Sequence, residues 1–250
     1  MIRRTFLMAA AAVTMLGAPA AQAQDALKVG TEANGLPFSF VDPATGQPDG
    51  FMVDVVKAVA KEEGLAITVE PMEFSALISS LTSGKVDMTS AAMYVTEERQ
   101  KVIDFSEPVF GYGEGMVVKS DDAKEYTAFT ELSGETVGAQ LGTMYVAPLQ
   151  KAGVFSEVKV YDTVQNMMQD VAQGRIKAGY ADAPIMSYFL AKGQFPNLKL
   201  VPSYKPVVPG DIALAVPKGN AELQAKLNDG IAKIKASGEL DQLIQKWNLR

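Results

Sequence analysis

Ala91-Ala-Met-Tyr-Val-Thr-Glu-Glu-Arg-Gln-Lys-Val-Ile-Asp-Phe-Ser-Glu-Pro108 is the stretch on which the reading of this 250-residue chain turns. Residues 86–92, which run into it, have the length and apolar content of a short buried strand. Thr96 then suits an N-cap, its hydroxyl accepting a free N–H of the next turn. Glu97 and Glu98 fall in that first turn, where carboxylates complement the positive end of a helix. Arg99 thereby stands at a strand-to-helix corner beside free backbone donors. A guanidinium fork takes both oxygens of a carboxylate, and neighbouring N–H groups add to its hold. Spacing alone leaves a second reading open, in which Arg99 pairs on the surface with Glu97, Glu98 or Asp104.

Outward from this corner the alternation of strand and helix repeats. Upstream, Leu27-Lys-Val-Gly30 reads as a strand, residues 31–37 as a glycine-bearing loop, Phe38-Ser-Phe-Val41 as a second strand and residues 42–50 as a turn-rich hairpin. Gly50 opens a helix with Phe51, Val55, Ala58 and Val59 on one face, ending at Gly64. Residues 66–69 alternate as a strand. Residues 75–83 form a helix with Leu77, Ile78 and Leu81 on one side, and 85–92 return as a strand. Beyond Pro108, strands are expected over 115–119, 136–139, 158–161, 176–182 and 198–202. Helices are expected from Met144 to about residue 150, over 164–174 and over 184–193. Val164, Met167, Met168 and Val171 recur at helical spacing, and this stripe reads as core. A strand over 211–216 and amphipathic helices over 221–236 and 238–247 follow. Two successive units of this kind predict an α/β fold, each sheet mainly parallel with helices on both faces.

Composition closes off many chemistries. The chain has no cysteine and no histidine. That removes disulfides, thiolate catalysis, imidazole general bases and the commonest transition-metal ligands, so neither metal nor cofactor is expected. A net charge of −6 without a basic run argues against nucleic acid or anionic membrane as partner. Arg3 and Arg4, an apolar run over 5–18 and Ala21-Gln-Ala23 read as a signal peptide over 1–23, with the mature chain starting near Gln24. Losing those two arginines takes the net charge from −6 to −8. The apolar run falls short of the ~20 residues that span a bilayer, so a retained anchor is the second reading. General secretion stands ahead of twin-arginine export, since paired arginines occur in ordinary signals too. Without a following cysteine a lipoprotein anchor is excluded, and the expected location is the periplasm.

Thr96-Glu-Glu-Arg99 followed by Val102-Ile-Asp-Phe-Ser-Glu-Pro108 resembles the signature of the family 3 extracellular solute-binding proteins, the polar amino-acid receptors of ABC importers. Companion motifs stand in the family's order: Gly50-Phe51-Met-Val-Asp54, Gly142-Thr143, Tyr180-Ala-Asp182 and Lys246-Trp247. Pro71-Met-Glu-Phe-Ser75 and the Thr-Glu-Glu-Arg run bring the likeness nearest to glutamine-binding proteins. The resemblance implies a two-lobed periplasmic binding protein fold, with lobe 1 made of residues 24–112 and 212–250 and lobe 2 of residues 113–211. Paired hinges are then expected near 109–113 and 208–212. It further implies a monomer that passes its ligand to a membrane permease.

The same resemblance assigns a ligand-binding set. Arg99 takes the α-carboxylate, helped by backbone N–H groups near Ala92 and Tyr94 in lobe 1 and near Thr143 and Met144 in lobe 2; the Gly142 turn is also readable as an ordinary tight turn. Asp182 matches the carboxylate that holds the α-ammonium, and capping of the following helix is its other reading. Phe74 matches a wall residue for the ligand side chain, or is plain core. Glu32 matches an acid that meets polar or cationic side-chain ends, or is a solvated loop residue. Gly35 stands where relatives often carry an aromatic, Tyr94 where a small hydroxyl residue is usual, and Met52 where the motif has Asp. Gly35 and Tyr94 imply a rearranged pocket, in which Tyr94 caps the ligand from a new side or shifts selectivity away from small amide amino acids.

The function expected is that of a receptor, not an enzyme. Two alternatives stay open: a periplasmic dehydratase of prephenate or arogenate type, with Glu32 or Asp182 as general acid, and a soluble ligand-sensing module. The chain stops three residues after Trp247, which favours a separate receptor.

Overall fold

Leu27–Glu32 lies between Ile67–Met72 and Met88–Thr89 and is parallel to both. Ala215–Pro217 and Ile103–Phe105 complete this five-stranded sheet, Ala215–Pro217 running antiparallel to its two neighbours. A second five-stranded sheet repeats the plan. Thr136–Gln140 lies parallel between Glu157–Tyr161 and Ala178–Asp182. Glu114–Lys119 runs antiparallel beside Ala178–Asp182, and Leu198–Leu200 closes the edge. Each sheet therefore has four strands pointing one way and one pointing back. These features come from a computed structural model, which describes residues 26–249. The signal peptide expected over 1–23 lies outside the described residues. Among the described residues no helix is long and apolar enough to cross a membrane.

The two sheets are the hearts of two lobes, joined by a short antiparallel ladder between Phe110–Tyr112 and Gly210–Ile212. Around the first sheet pack Phe51–Glu62, Leu77–Thr82 and Ala221–Ala236. Gly50 starts Phe51–Glu62 at φ 124°, and a Cβ there would lie 2.5 Å from Phe38 O, so glycine is required for the turn. Asp54 in that helix accepts from Lys246 Nζ at 2.6 Å and Trp247 Nε1 at 2.8 Å. The Gly50–Asp54 and Lys246-Trp247 motifs thus meet in space. Around the second sheet, Val164–Ala172 buries Val164, Met167, Met168 and Val171, so the methionine stripe is core. Met52 is fully buried in the first lobe's core, away from the cleft lining.

Several expected elements are shorter or divided. The strand expected over 85–92 is only Met88–Thr89, because residues 90–95 turn out of the sheet toward the hinge, where Tyr94 bridges Ile212. The helix expected over 75–83 opens as a 3-10 turn, Phe74–Ala76, before Leu77–Thr82. The strand expected over 211–216 is two strands, Gly210–Ile212 and Ala215–Pro217, since the chain leaves the hinge ladder to enter the first sheet. The helix expected from Met144 begins at Val146.

Candidate functional site

The candidate residues gather where strands end. Glu32 closes Leu27–Glu32, Gln140 closes Thr136–Gln140 and Asp182 closes Ala178–Asp182. In wound α/β sheets the crevice at the carboxyl ends of the strands is the site for ligands, and here two such crevices face each other. All eight residues expected from the sequence line one cleft. Glu32, Phe74, Ala92, Tyr94 and Arg99 come from one side, and Thr143, Met144 and Asp182 from the other. Gln140 and Tyr145 line it as well. The space left between these side chains is about 10 Å³, room for about one water. A ligand larger than that enters only when the lobes part.

Arg99 lies in the single turn Glu97–Gln100, capped as expected by Thr96, whose hydroxyl accepts from Arg99 N at 3.1 Å. It is 8% exposed. Its Nη1 donates to Tyr94 O at 2.7 Å, and its Nη2 reaches across the cleft to Gly142 O at 3.1 Å. Its charge centre sits 5.7 Å from the centroid of the Phe74 ring, a cation–π distance. The surface-pairing alternative does not occur. Glu98 pairs with Lys101, and Asp104 with Lys218. Phe74 proves to be both wall and core, since it lines the cleft and packs with Leu77, Leu81 and Met93.

Asp182 occupies the N-cap position of Ala183–Ala191 but makes no side-chain capping bond. Its carboxylate is turned into the cleft instead. Oδ2 accepts from Tyr112 OH at 2.7 Å, and Oδ1 accepts from Tyr145 OH. Burial pushes its pKa up to about 6, against the lowering effect of the two phenols and Arg99. The same burial pushes Tyr112 and Tyr145 upward, with Asp182 adding to it, so both phenols stay neutral donors. Burial lowers the Arg99 pKa while Asp182 supports its charge. Arg99 remains a cation, because guanidinium does not lose its proton in proteins.

Glu32 is 3% exposed and accepts from Gln140 Nε2 of the opposite lobe at 2.7 Å. The solvated-loop alternative is thereby ruled out. Burial raises its pKa to about 8, opposed by the Gln140 hydrogen bond and aided by Asp182 and Glu73. At the Gly142-Thr143-Met144 turn the Gly142 carbonyl faces the cleft, where it accepts from Arg99 Nη2. Thr143 N and Oγ1 both bond Gln140 O, at 3.3 and 2.7 Å.

Tyr94 lies against the hinge. Its ring packs over Gly210, where a Cβ would be 3.0 Å from the ring, and its hydroxyl donates to Tyr112 O at 3.0 Å. Its ring centroid is 5.0 Å from that of Tyr112. Tyr112 stacks in turn on Phe38 at 5.1 Å. The departure at Tyr94 is therefore matched by a missing side chain at Gly210.

Gln140, Tyr112 and Tyr145 are the functional candidates that sequence reasoning missed. Each had a signal. Gln140 ends a strand two residues before the Gly142 turn, Tyr145 follows that turn, and Tyr112 sits in the glycine-flanked segment leading out of lobe 1.

Two hinged lobes that meet over charged and hydrogen-bonding side chains from both sides define a two-lobed solute-binding protein. The chain belongs to the bacterial extracellular solute-binding proteins, family 3, which it matches over residues 27–250. It is 31% identical over 232 residues to the putative ABC transporter arginine-binding protein 2 of Escherichia coli K12, covering 91% of this chain and 92% of that protein. It is 30% identical over 221 residues to the L-cystine-binding protein TcyJ of the same strain, covering 88% of this chain and 82% of that protein. Among solved structures it resembles an ancestral arginine-binding protein bound to glutamine, with a TM-score of 0.82 and 35% identity over 90% of this chain and 98% of that one.

Proposed function

We propose that the protein is the periplasmic receptor of an ABC importer and captures a polar amino acid between its closing lobes. The observation that carries this reading is the placement of Arg99 and Asp182 on opposite lobes of one buried cleft. A free amino acid presents a carboxylate and an ammonium, and a dry site holds both only if each meets an opposite charge. Arg99 is the partner for the carboxylate and Asp182 for the ammonium. The ligand then replaces the Tyr94 and Gly142 carbonyls at Arg99 and the phenols at Asp182. Because its two ends bind different lobes, it favours the closed form over the open one, which is the differential affinity that drives closure. The amino-acid-binding names of the relatives support the substrate class. On this reading the chain is secreted through its signal peptide, works as a monomer and delivers to a membrane permease.

The test is a calorimetric screen of unfolded and refolded chain against the L-amino acids. One tight ligand, lost in Arg99→Ala and in Asp182→Ala, supports the reading; silence from all amino acids contradicts it. Glu32 favours a second reading, because a buried acid that holds its proton up to about pH 8 is what a dehydratase on this scaffold needs as general acid. Product formation from prephenate or arogenate separates the two.

A further inference from the structure

Glu114 is 2% exposed and lies outside the cleft lining. It opens the strand Glu114–Lys119, two residues after the hinge strand Phe110–Tyr112 ends, and stands opposite Asp182 in the register of the second sheet. Its carboxyl faces the other crossing between the lobes. Oε1 accepts from Tyr204 OH at 2.9 Å and from Val207 N at 2.6 Å, and Oε2 accepts from Val208 N at 3.0 Å. Val207 and Val208 run into the returning hinge strand Gly210–Ile212 and belong to no strand themselves. Their N–H groups need acceptors that a neighbouring strand would ordinarily supply, and here one side chain supplies them. Val207 is 50% exposed, so packing holds this segment weakly and the hydrogen bonds hold it instead.

The path from this tie to Asp182 is short. Gly210 pairs with Tyr112 across the hinge ladder, and Tyr112 OH donates to Asp182. Gly113 O accepts from Ala183 N at 3.2 Å, which fixes the residue after Asp182 to the outgoing crossing. Gly113 also lies against the returning crossing, where a Cβ on it would be 2.7 Å from Pro206 Cβ. Glu114 therefore joins both crossings to lobe 2 at the level where Asp182 enters the cleft. With both crossings joined, bending in the ladder swings lobe 2 as one body. With the returning crossing untied, Gly210 and Tyr112 shift without lobe 2, and closure delivers Asp182 to a less defined place.

Resting on the amino-acid-receptor reading above, we propose that Glu114 is a positioning residue for ligand capture: it ties the returning hinge crossing to lobe 2 and so fixes the place to which closure carries Asp182. Glu114 touches no ligand. It acts through the backbone of Val207 and Val208.

Calorimetric titration tests this with two compounds, the tightest-binding of the L-amino acids and its analogue lacking the α-amino group, which has no use for Asp182. The titrations are run at about pH 7.5, where Asp182, at about 6, is ionised. Glu114→Gln should weaken the amino acid at least about tenfold and the analogue less than about threefold. In the same variant the Val207 and Val208 amides should exchange their hydrogens faster. Tyr204→Phe removes the one donor on Glu114 that lies outside the two hinge-bound residues, and should leave both affinities within about threefold. Gly113→Ala displaces Pro206 without touching Glu114; it should reproduce the selective loss, and it decides the matter if Glu114→Gln does not fold. A loss shared equally by the two compounds, no loss at all, unchanged amide exchange, or an equal loss in Tyr204→Phe reduces Glu114 to a stabilising residue of lobe 2 and overturns the proposal while leaving the receptor reading standing. Failure of every L-amino acid to bind the parent chain overturns both together.

Discussion

Replacing Glu32 by Gln should change how the fold responds to pH. The carboxyl rises from an ordinary 4.5 to about 8 on burial. A raised folded value means that the closed fold binds a proton the unfolded chain has released. Its contribution to stability is complete below pH 4.5 and is lost as pH rises through 8. Each tenfold difference in proton affinity between the two states is worth about 1.4 kcal/mol, and the loss between about pH 6 and pH 9 comes to about 3 kcal/mol. Glutamine keeps the shape and an acceptor for Gln140 but has no proton to lose. Asp182, at about 6, titrates mostly below this window and does so in both proteins. Urea unfolding of parent and Glu32→Gln at intervals from pH 6 to 9 should therefore give curves that diverge, the parent losing stability that the variant keeps. If opening of the cleft relieves the buried charge before unfolding does, the divergence is smaller, and the parent alone shows a larger radius of gyration by X-ray scattering at pH 9. Parallel stability curves together with unchanged radii in both proteins would refute the reasoning.

Three other perturbations follow from the same contacts. Tyr112→Phe removes the 2.7 Å bond to Asp182, which moves the Asp182 pKa further above 6; since the ammonium needs ionised Asp182, the loss of ligand affinity on acidification should shift toward neutral pH in titrations from about pH 5 to 8. Gly210→Ala places a methyl 3.0 Å from the Tyr94 ring and should cost about 1 kcal/mol in urea unfolding, a cost that disappears in a Tyr94→Ser background. Glu114 accepts from Tyr204 OH at 2.9 Å and from the backbone N–H groups of Val207 and Val208 at 2.6 and 3.0 Å; Glu114→Gln leaves one of these buried donors facing an amide NH₂ and should lower stability by about 2 kcal/mol.

The alternation of apolar runs with glycine-stopped helices made two α/β units legible, because burial on both faces writes itself into composition. The cap at Thr96 and the corner at Arg99 were legible for the same local reason. Strand lengths were not. Residues 91–95 are apolar because Ala92 and Tyr94 line the cleft while Ala91, Met93 and Val95 pack into the core of the first lobe, not because they pair in the sheet, and sequence shows burial without showing against what. The cleft lining was legible as far as motifs reached: Arg99, Asp182, Glu32 and Phe74 were each nameable, and each carried a structural alternative that only placement resolves. Asp182 shows why. Its position before a helix fits a cap, yet two tyrosines 70 and 37 residues away turn its carboxylate into the cleft. What Gly35 does was beyond reach for a different reason. An absent side chain reads as a loss in sequence, whereas in space it makes room for its neighbour, Glu32, whose Cδ would lie 2.8 Å from a Cβ there. Gly210 stands in the same relation to Tyr94.

The most direct measurement compares the best-binding L-amino acid with its two one-sided analogues, the amine lacking the α-carboxylate and the acid lacking the α-amino group, by calorimetry on refolded chain and on Arg99→Ala and Asp182→Asn. Removing one partner of a buried charge pair costs about 2–5 kcal/mol, so each analogue should bind at least about thirtyfold more weakly than the amino acid. Arg99→Ala should lose the distinction between the amino acid and its amine, and Asp182→Asn the distinction between the amino acid and its acid. Analogues that bind the parent chain as tightly as the amino acid would contradict the assignment of Arg99 and Asp182 to the two ends of the ligand.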